Sequence, residues 1–223
     1  MIKPNSLKPN STIGIVSPSS WMNEDDMKNA ISVFESKGYQ IILGDYVSQK
    51  NNTFAGTPEQ RAKDINGMFS NPEIDAIICA RGGYGSNRVL PLLDYDLIKN
   101  NPKIFMGYSD ITNILVAISQ ISKIITFHGP MLTSFKNGNI EYNFNLIEKT
   151  LNQFNNLKIN SPAKLPIKTL KKGFAEGILT GGNISLIVSQ IGTQNQIKTD
   201  NSILFIEDTD EYLYALERML IHM

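Results

Sequence analysis

The chain of 223 residues has a single cysteine, Cys79, which excludes an intramolecular disulfide framework and fits a reducing compartment. Cys79 lies inside an apolar run, Ala76-Ile77-Ile78-Cys79-Ala80, where a thiol is inert packing rather than a nucleophile. Neither sign of charge is in surplus: 21 Lys+Arg stand against 21 Asp+Glu. That balance argues against a nucleic-acid partner and against docking on an anionic membrane surface. No apolar run approaches the ~18 residues of a membrane span. The first residues, Met1 to Pro9, lack the apolar stretch of a secretory signal, so a cytoplasmic protein is expected. Histidine is scarce as well, with only His128 and His222. No His/Cys/Asp/Glu set has metal-ligand spacing, so no metal or other cofactor is expected.

What is present is an alternation of short apolar runs and helical patterns. Thr12–Val16, Ile41–Leu43, Ala76–Ala80, Ile104–Met106 and Ile124–Phe127 read as strands. Between them, Glu24–Lys37 carries Met27, Ile31 and Phe34 at helical spacing, and Pro58 opens a helix with Ala62, Ile65, Met68 and Phe69. Helix is also expected through Arg88, Leu90 and Leu92, and over Ile111–Gln120. Such alternation predicts an α/β fold, a mostly parallel sheet with helices on both faces. In these sheets the functional loops lie past the carboxyl ends of the strands. One rim therefore collects Ser17-Pro18-Ser19, Arg81 to Gly85, Tyr108-Ser109-Asp110 and His128-Gly129-Pro130.

The composition changes near Leu151, giving an expected nucleophile-bearing domain over 1–151, a polar connection over 152–172 and a second block over 173–223. That block offers a glycine-punctuated strand pair or loop over Gly173–Asn183 and a short helix from Ile184. It also offers a buried strand from Ser202 ending at Glu207-Asp208, and a helix from Glu211 with Leu213, Leu216 and Leu220 on one face. About fifty residues form a poor core. The expectation is an incomplete C-terminal α/β-type domain in a truncated chain.

Ser109 follows a short strand and a tight Gly107-Tyr108 turn and precedes a helix. A serine there is exposed and close to free N–H groups, which suits a nucleophile whose oxyanion needs donors. It equally suits a helix cap formed by Ser109-Asp110. The loop Arg81-Gly82-Gly83-Tyr84-Gly85 admits three readings: a phosphate cradle, an oxyanion hole, or a tight turn that needs positive φ. Glu207, directly after a buried run, can orient a histidine or serve as a helix-terminal acid with Asp208, Asp210 and Glu211. His128 sits on the rim, either as a base or as a turn residue, and His222 lies at the end of the last helix.

Taken together these stretches resemble the L,D-carboxypeptidase family of serine peptidases, which holds muramoyl-tetrapeptide carboxypeptidases and microcin C immunity peptidases. The resemblance is carried by Gly14-Ile15-Val16-Ser17-Pro18-Ser19, Ala80-Arg81-Gly82-Gly83-Tyr84-Gly85-Ser86, Gly107-Tyr108-Ser109-Asp110, Phe127-His128-Gly129-Pro130, Gly181-Gly182-Asn183 and Phe205-Ile206-Glu207-Asp208 with Arg218-Met219-Leu220. It implies Ser109 as nucleophile, Glu207 as the acid of a Ser–Glu–His triad, and an oxyanion hole from the N–H groups of Gly83 and Asp110. Arg81 or Arg88 is a candidate binder of a substrate carboxylate. The implied reaction removes the C-terminal D-alanine from cytoplasmic murein tetrapeptides by a homodimeric enzyme. The family's alternatives are cleavage of an aminoacyl-nucleotide antibiotic or, without catalysis, binding of muropeptide. The family's triad histidine corresponds to neither His128 nor His222, so this form is expected to be nearly inactive.

Overall fold

The computed structural model describes residues 1–136, 140–153 and 168–223. Strands β1 (Thr12–Val16), β2 (Gln40–Leu43), β3 (Ala76–Cys79), β4 (Ile104–Gly107) and β5 (Phe127–His128) form one sheet in the order β2-β1-β3-β4-β5. Every pairing in it is parallel. The chain order reverses at β1/β3, and a doubly wound sheet opens its ligand crevice at such a point, outside the carboxyl ends of the strands.

Period-two alternation divides the strand side chains between two cores. Ile77, Cys79 and Phe105 face α2 (Pro58–Ser70) and α4 (Thr112–Ala117), where Ile65, Phe69 and Ile114 are fully buried. Ile13, Ile15, Ile78 and Met106 face α1 (Glu24–Ser36) and α5 (Ile140–Gln153), meeting Phe34 and Phe144. Burial on both faces explains why these strands read as unbroken apolar runs. The helix starts follow local chemistry. Asn23 Oδ1 accepts from the Asp25 N–H at 2.9 Å. Thr57 and Gln60 form a reciprocal capping box ahead of Pro58.

Several expectations are adjusted. The stretch after the glycine loop forms two 3-10 turns, Ser86–Arg88 and Leu90–Leu92, and then α3 (Tyr95–Asn100), because Pro91 lacks the N–H that a continuous helix needs. The helix expected over Ile111–Gln120 is composite: a 3-10 turn at Ser109–Ile111, then α4, then a π-helical turn at Ile118–Ser122. The fifth strand is shorter and later than expected, since Ile124 makes only an isolated bridge to Ile2. Helix α5 includes Asn152 and Gln153, and 154–167 of the expected connection lie outside the described residues.

The second block begins with β6 (Ile178–Asn183), one strand where a strand pair or loop was expected. It pairs in parallel with β7 (Ser202–Glu207), and α6 (Ile184–Ser189) lies between them in the chain. This two-stranded sheet docks on α4 through Val116, Ile187 and Ile197, with Leu204 packed against them. The last helix, α7 (Leu213–His222), has no buried residue in the described structure: Leu213 is 85% and Leu220 55% exposed.

Candidate active site

The carboxyl ends of β1, β3, β4 and β5 bring the four predicted loops to one edge. Ser109 has φ +61°. Six described non-glycine residues have positive φ, and four of them are Asn or Asp, which tolerate it. A serine in that region stores backbone strain of about 1–3 kcal/mol, held only because its surroundings over-determine it. A nucleophile turn between a strand and a helix uses a strained backbone of this kind. The capping alternative does not hold: neither the 3-10 turn nor α4 has a side-chain cap at its start.

Glycines make room for this turn. A Cβ placed on Gly82 would lie 3.0 Å from both Cβ and Oγ of Ser109. One on Gly107 would lie 2.8 Å from Ile111 Cγ2. The loop after β3 thus runs against the serine itself. Gly83 (φ +126°) and Gly85 (φ +104°) confirm the need for positive φ there. The loop opens onto a three-residue 3-10 turn rather than an α-helix, which removes the helix N-terminus that a phosphate cradle uses. The N–H groups of Gly83 and Asp110 take no part in the turn and loop backbone hydrogen bonds of the described residues. Ser109 itself is half-buried rather than exposed as expected, and N–H groups beside such a serine are what an oxyanion site requires.

Asp110 is turned away from the rim. Its Oδ2 accepts from Ser19 Oγ at 2.5 Å and from the Ser86 N–H at 2.8 Å, and its carbonyl accepts from Ser86 Oγ at 2.5 Å. Arg61 of α2 lies beneath the same loops, its Nη1 donating to the carbonyls of Pro18 (2.6 Å) and Gly85 (3.0 Å). Burial pulls the Arg61 pKa down and the Asp110 carboxylate opposes that shift. Sequence reasoning missed Arg61, although its i, i+4, i+7 alignment with Ile65 and Met68 placed it on the core-facing stripe.

Glu207 ends β7 opposite β5. Its Oε1 is buried, without a hydrogen-bond partner among the described residues, and lies 3.8 Å from His128 Nε2. That separation is too long for a hydrogen bond. The His128 ring stands edge-on to Phe205 with centroids 5.0 Å apart. Burial pushes the His128 pKa down, which favours its neutral imidazole. Burial, and then the charge of Asp208, push the Glu207 carboxyl up. Asp208 behaves differently. Burial alone would raise its pKa, but hydrogen bonds from Ser185, Thr209 and Asn183 hold it below the ordinary carboxylate value. Its Oδ2 accepts from the N–H and Oγ of Ser185 at 3.2 and 2.7 Å, so it serves the start of α6 rather than of α7.

Two links hold this acid-bearing corner to the serine's helix. Thr112 Oγ1 accepts from the Asn183 N–H at 3.1 Å. Gly182 (φ +142°) packs so closely that a Cβ there would meet Thr112 Cγ2 at 2.6 Å. Arg81 and Arg88 are exposed. Arg81 Nη1 donates to the Trp21 carbonyl at 3.4 Å, and the Arg88 guanidinium lies 5.2 Å from the Phe54 ring centroid and 5.9 Å from that of Tyr84. His222 is exposed at the end of α7.

Comparison with known proteins gives one answer. The LD-carboxypeptidase N-terminal domain matches residues 13–129, and the LD-carboxypeptidase C-terminal domain matches residues 176–223. A probable murein peptide carboxypeptidase of Bacillus subtilis is 37% identical over 220 residues, covering 98% of this chain and 68% of that protein. The murein tetrapeptide carboxypeptidase of Pseudomonas aeruginosa is 31% identical, covering 93% and 69%. Among solved structures, the microcin C7 self immunity protein MccF superposes with a TM-score of 0.87 at 27% identity, covering 98% of this chain and 74% of that one.

Proposed function

The chain belongs to the LD-carboxypeptidase family, and from that membership we propose that it carries the nucleophile and acid of a serine peptidase acting on murein tetrapeptides. The observation that carries the reading is the left-handed backbone at Ser109, braced by Gly82 and followed by the buried Asp110. In this mechanism Ser109 Oγ attacks the carbonyl on the L-side of the terminal D-alanine bond. The N–H groups of Gly83 and Asp110 hold the oxygen that becomes negative. A neutral imidazole takes the serine proton and returns it to the leaving amine, while the Glu207 carboxylate orients that imidazole and stabilises its charged form. Arg81 and Arg88 offer exposed guanidinium groups to a substrate carboxylate.

Neither histidine of this chain fills the base position in the proposal. His222 is exposed on α7, and His128 Nε2 stands 3.8 Å from Glu207 Oε1, beyond hydrogen-bond reach of the acid that would orient it. Without an imidazole in that position turnover is proposed to be very slow, since loss of a triad base costs several orders of magnitude. The proposal further assigns residues 1–151 to a nucleophile domain and 173–223 to part of a second, in a homodimeric cytoplasmic enzyme of peptidoglycan recycling. Its support is the naming of the murein-peptide relatives and the family resemblance of the motifs. No described helix is long and apolar enough to cross a membrane.

A second reading is favoured by the structural likeness to MccF, and by the 31% identity to the Escherichia coli microcin C7 self-immunity protein. There the substrate is an aminoacyl nucleotide. The test offers a disaccharide tetrapeptide and an aspartyl sulfamoyl adenosine to one preparation supplied with free imidazole as a diffusible base. The murein reading predicts imidazole-dependent release of D-alanine and an intact nucleotide. Cleavage of the nucleotide alone selects the second reading. Binding of the tetrapeptide with no cleavage of either compound selects a non-catalytic module.

A further inference from the structure

The buried polar cluster under the rim is more elaborate than a strand-to-helix turn requires. Asp110 is 2% exposed, and Ser19 and Ser86 are fully buried. Ser19 belongs to the loop after β1, and Ser86 closes the glycine loop after β3. Both donate to one oxygen of Asp110, in the turn after β4. Asn113 Nδ2 donates to Ser86 Oγ at 3.1 Å, which leaves that hydroxyl's proton for the Asp110 carbonyl. The Ser20 N–H donates to the Gly82 carbonyl at 3.4 Å, and the Ala55 N–H to the Ser19 carbonyl at 3.0 Å. Arg61 binds the first two loops from below and supplies the charge opposite the carboxylate.

The backbone of residue 110 is thereby fixed at its carbonyl and its side chain at once, immediately after the strained Ser109. The glycine loop is fixed to it three residues beyond Gly83. We infer that the Asp110 side chain is a positioning residue: it sets the spacing between the Gly83 and Asp110 N–H groups and holds Ser109 in its left-handed conformation. This rests on the reading of Ser109 as nucleophile. A carboxylate suits the task because the Ser86 N–H can only donate, so the atom facing it must be an acceptor. An amide would keep that acceptor but lose the charge that answers Arg61.

The test is capture of a peptidyl boronic acid in which boron replaces the scissile carbonyl. Ser109 Oγ bonds to boron, its proton passes to solvent, and boron keeps both hydroxyls as a tetrahedral anion. One hydroxyl then occupies the oxyanion position, and 11B NMR separates trigonal from tetrahedral boron. Affinity for the tripeptide product is measured alongside, since it needs neither the serine bond nor the oxyanion donors. Wild type should form the tetrahedral adduct and Ser109→Ala should not. Asp110→Asn and Ser19→Ala should weaken boronate capture by about tenfold to hundredfold and leave product affinity nearly unchanged, while the melting temperature should fall in Asp110→Asn, which leaves Arg61 without its counter-charge. Boronate capture at wild-type strength in both variants overturns the inference while leaving Ser109 in place. So does an equal loss of boronate and product affinity, which marks a merely structural role. No adduct in wild type, or an adduct equally strong in Ser109→Ala, overturns the Ser109 reading and this inference with it.

Discussion

The two sheets of this protein are built to different standards. Strands β1, β3 and β4 are covered on both faces, and Phe105, Ile77 and Ile78 have no exposed surface. Strands β6 and β7 leave Ile178, Leu179, Ile203 and Ile206 between 40% and 68% exposed. The serine stands on the first sheet, with its strain carried by a packed core and a satisfied polar cluster. The acid stands on the second, which meets the rest at α4, at Gln120 of the π-helical turn and at His128 of β5. Precision at Ser109 thus comes from burial, while the placement of Glu207 depends on a few contacts at Thr112 and Gly182.

The contrast is broken most forcefully by truncating one large apolar residue in each sheet. Phe105→Ala should cost about 3–5 kcal/mol and Ile206→Ala under about 1 kcal/mol, read from denaturant midpoints. Similar losses at both sites would erase the distinction. Gly182→Ala comes next. It places a methyl at positive φ against Thr112, at roughly 1–3 kcal/mol. Hydrogen exchange should accelerate in β6 and β7 while β1, β3 and β4 keep their protection. Uniform acceleration would mean that the two sheets open together.

The smallest expected effect is a pH slope confined to the first sheet's surroundings. Asp64 of α2 is buried beside Gly44, accepts the Tyr46 N–H at 3.0 Å, and has its pKa pushed up to about 6, chiefly by burial. The folded state therefore holds this proton more tightly than the unfolded chain. Its stabilising contribution is present below pH 4 and is lost as pH rises through about 6. Asp64→Asn should flatten the dependence of melting temperature on pH between 4 and 7. An unchanged slope would show that another group carries it.

Much of the first sheet was legible because burial on both faces writes itself as apolar runs, and because proline, glycine and Asn or Thr caps punctuate the elements between them. The rim loops and the Ser109 turn followed from that order. The polar cluster did not: Ser19, Asp110 and Ser86 are 91 and 24 residues apart in their pairings, and nothing local marks a serine or aspartate as buried. The 3-10 and π turns around α4 were hidden for a different reason, since their apolar spacing matches that of an α-helix. For α7, the sequence placed three leucines on one face, but such a stripe shows only what a helix can bury, and Leu213 and Leu220 lie exposed. The closeness of His128 to Glu207 depends on how the second sheet docks, which no local pattern encodes.

We propose that Ser109 is the nucleophile and that neither His128 nor His222 acts as its base. Release of D-alanine from a murein tetrapeptide, followed against free imidazole concentration in wild type and in Ser109→Ala, tests it directly. Release is expected to be negligible without imidazole, to rise with its neutral form in wild type, and to be absent in the variant. Equal release by Ser109→Ala, or full activity of wild type with no imidazole, would contradict it.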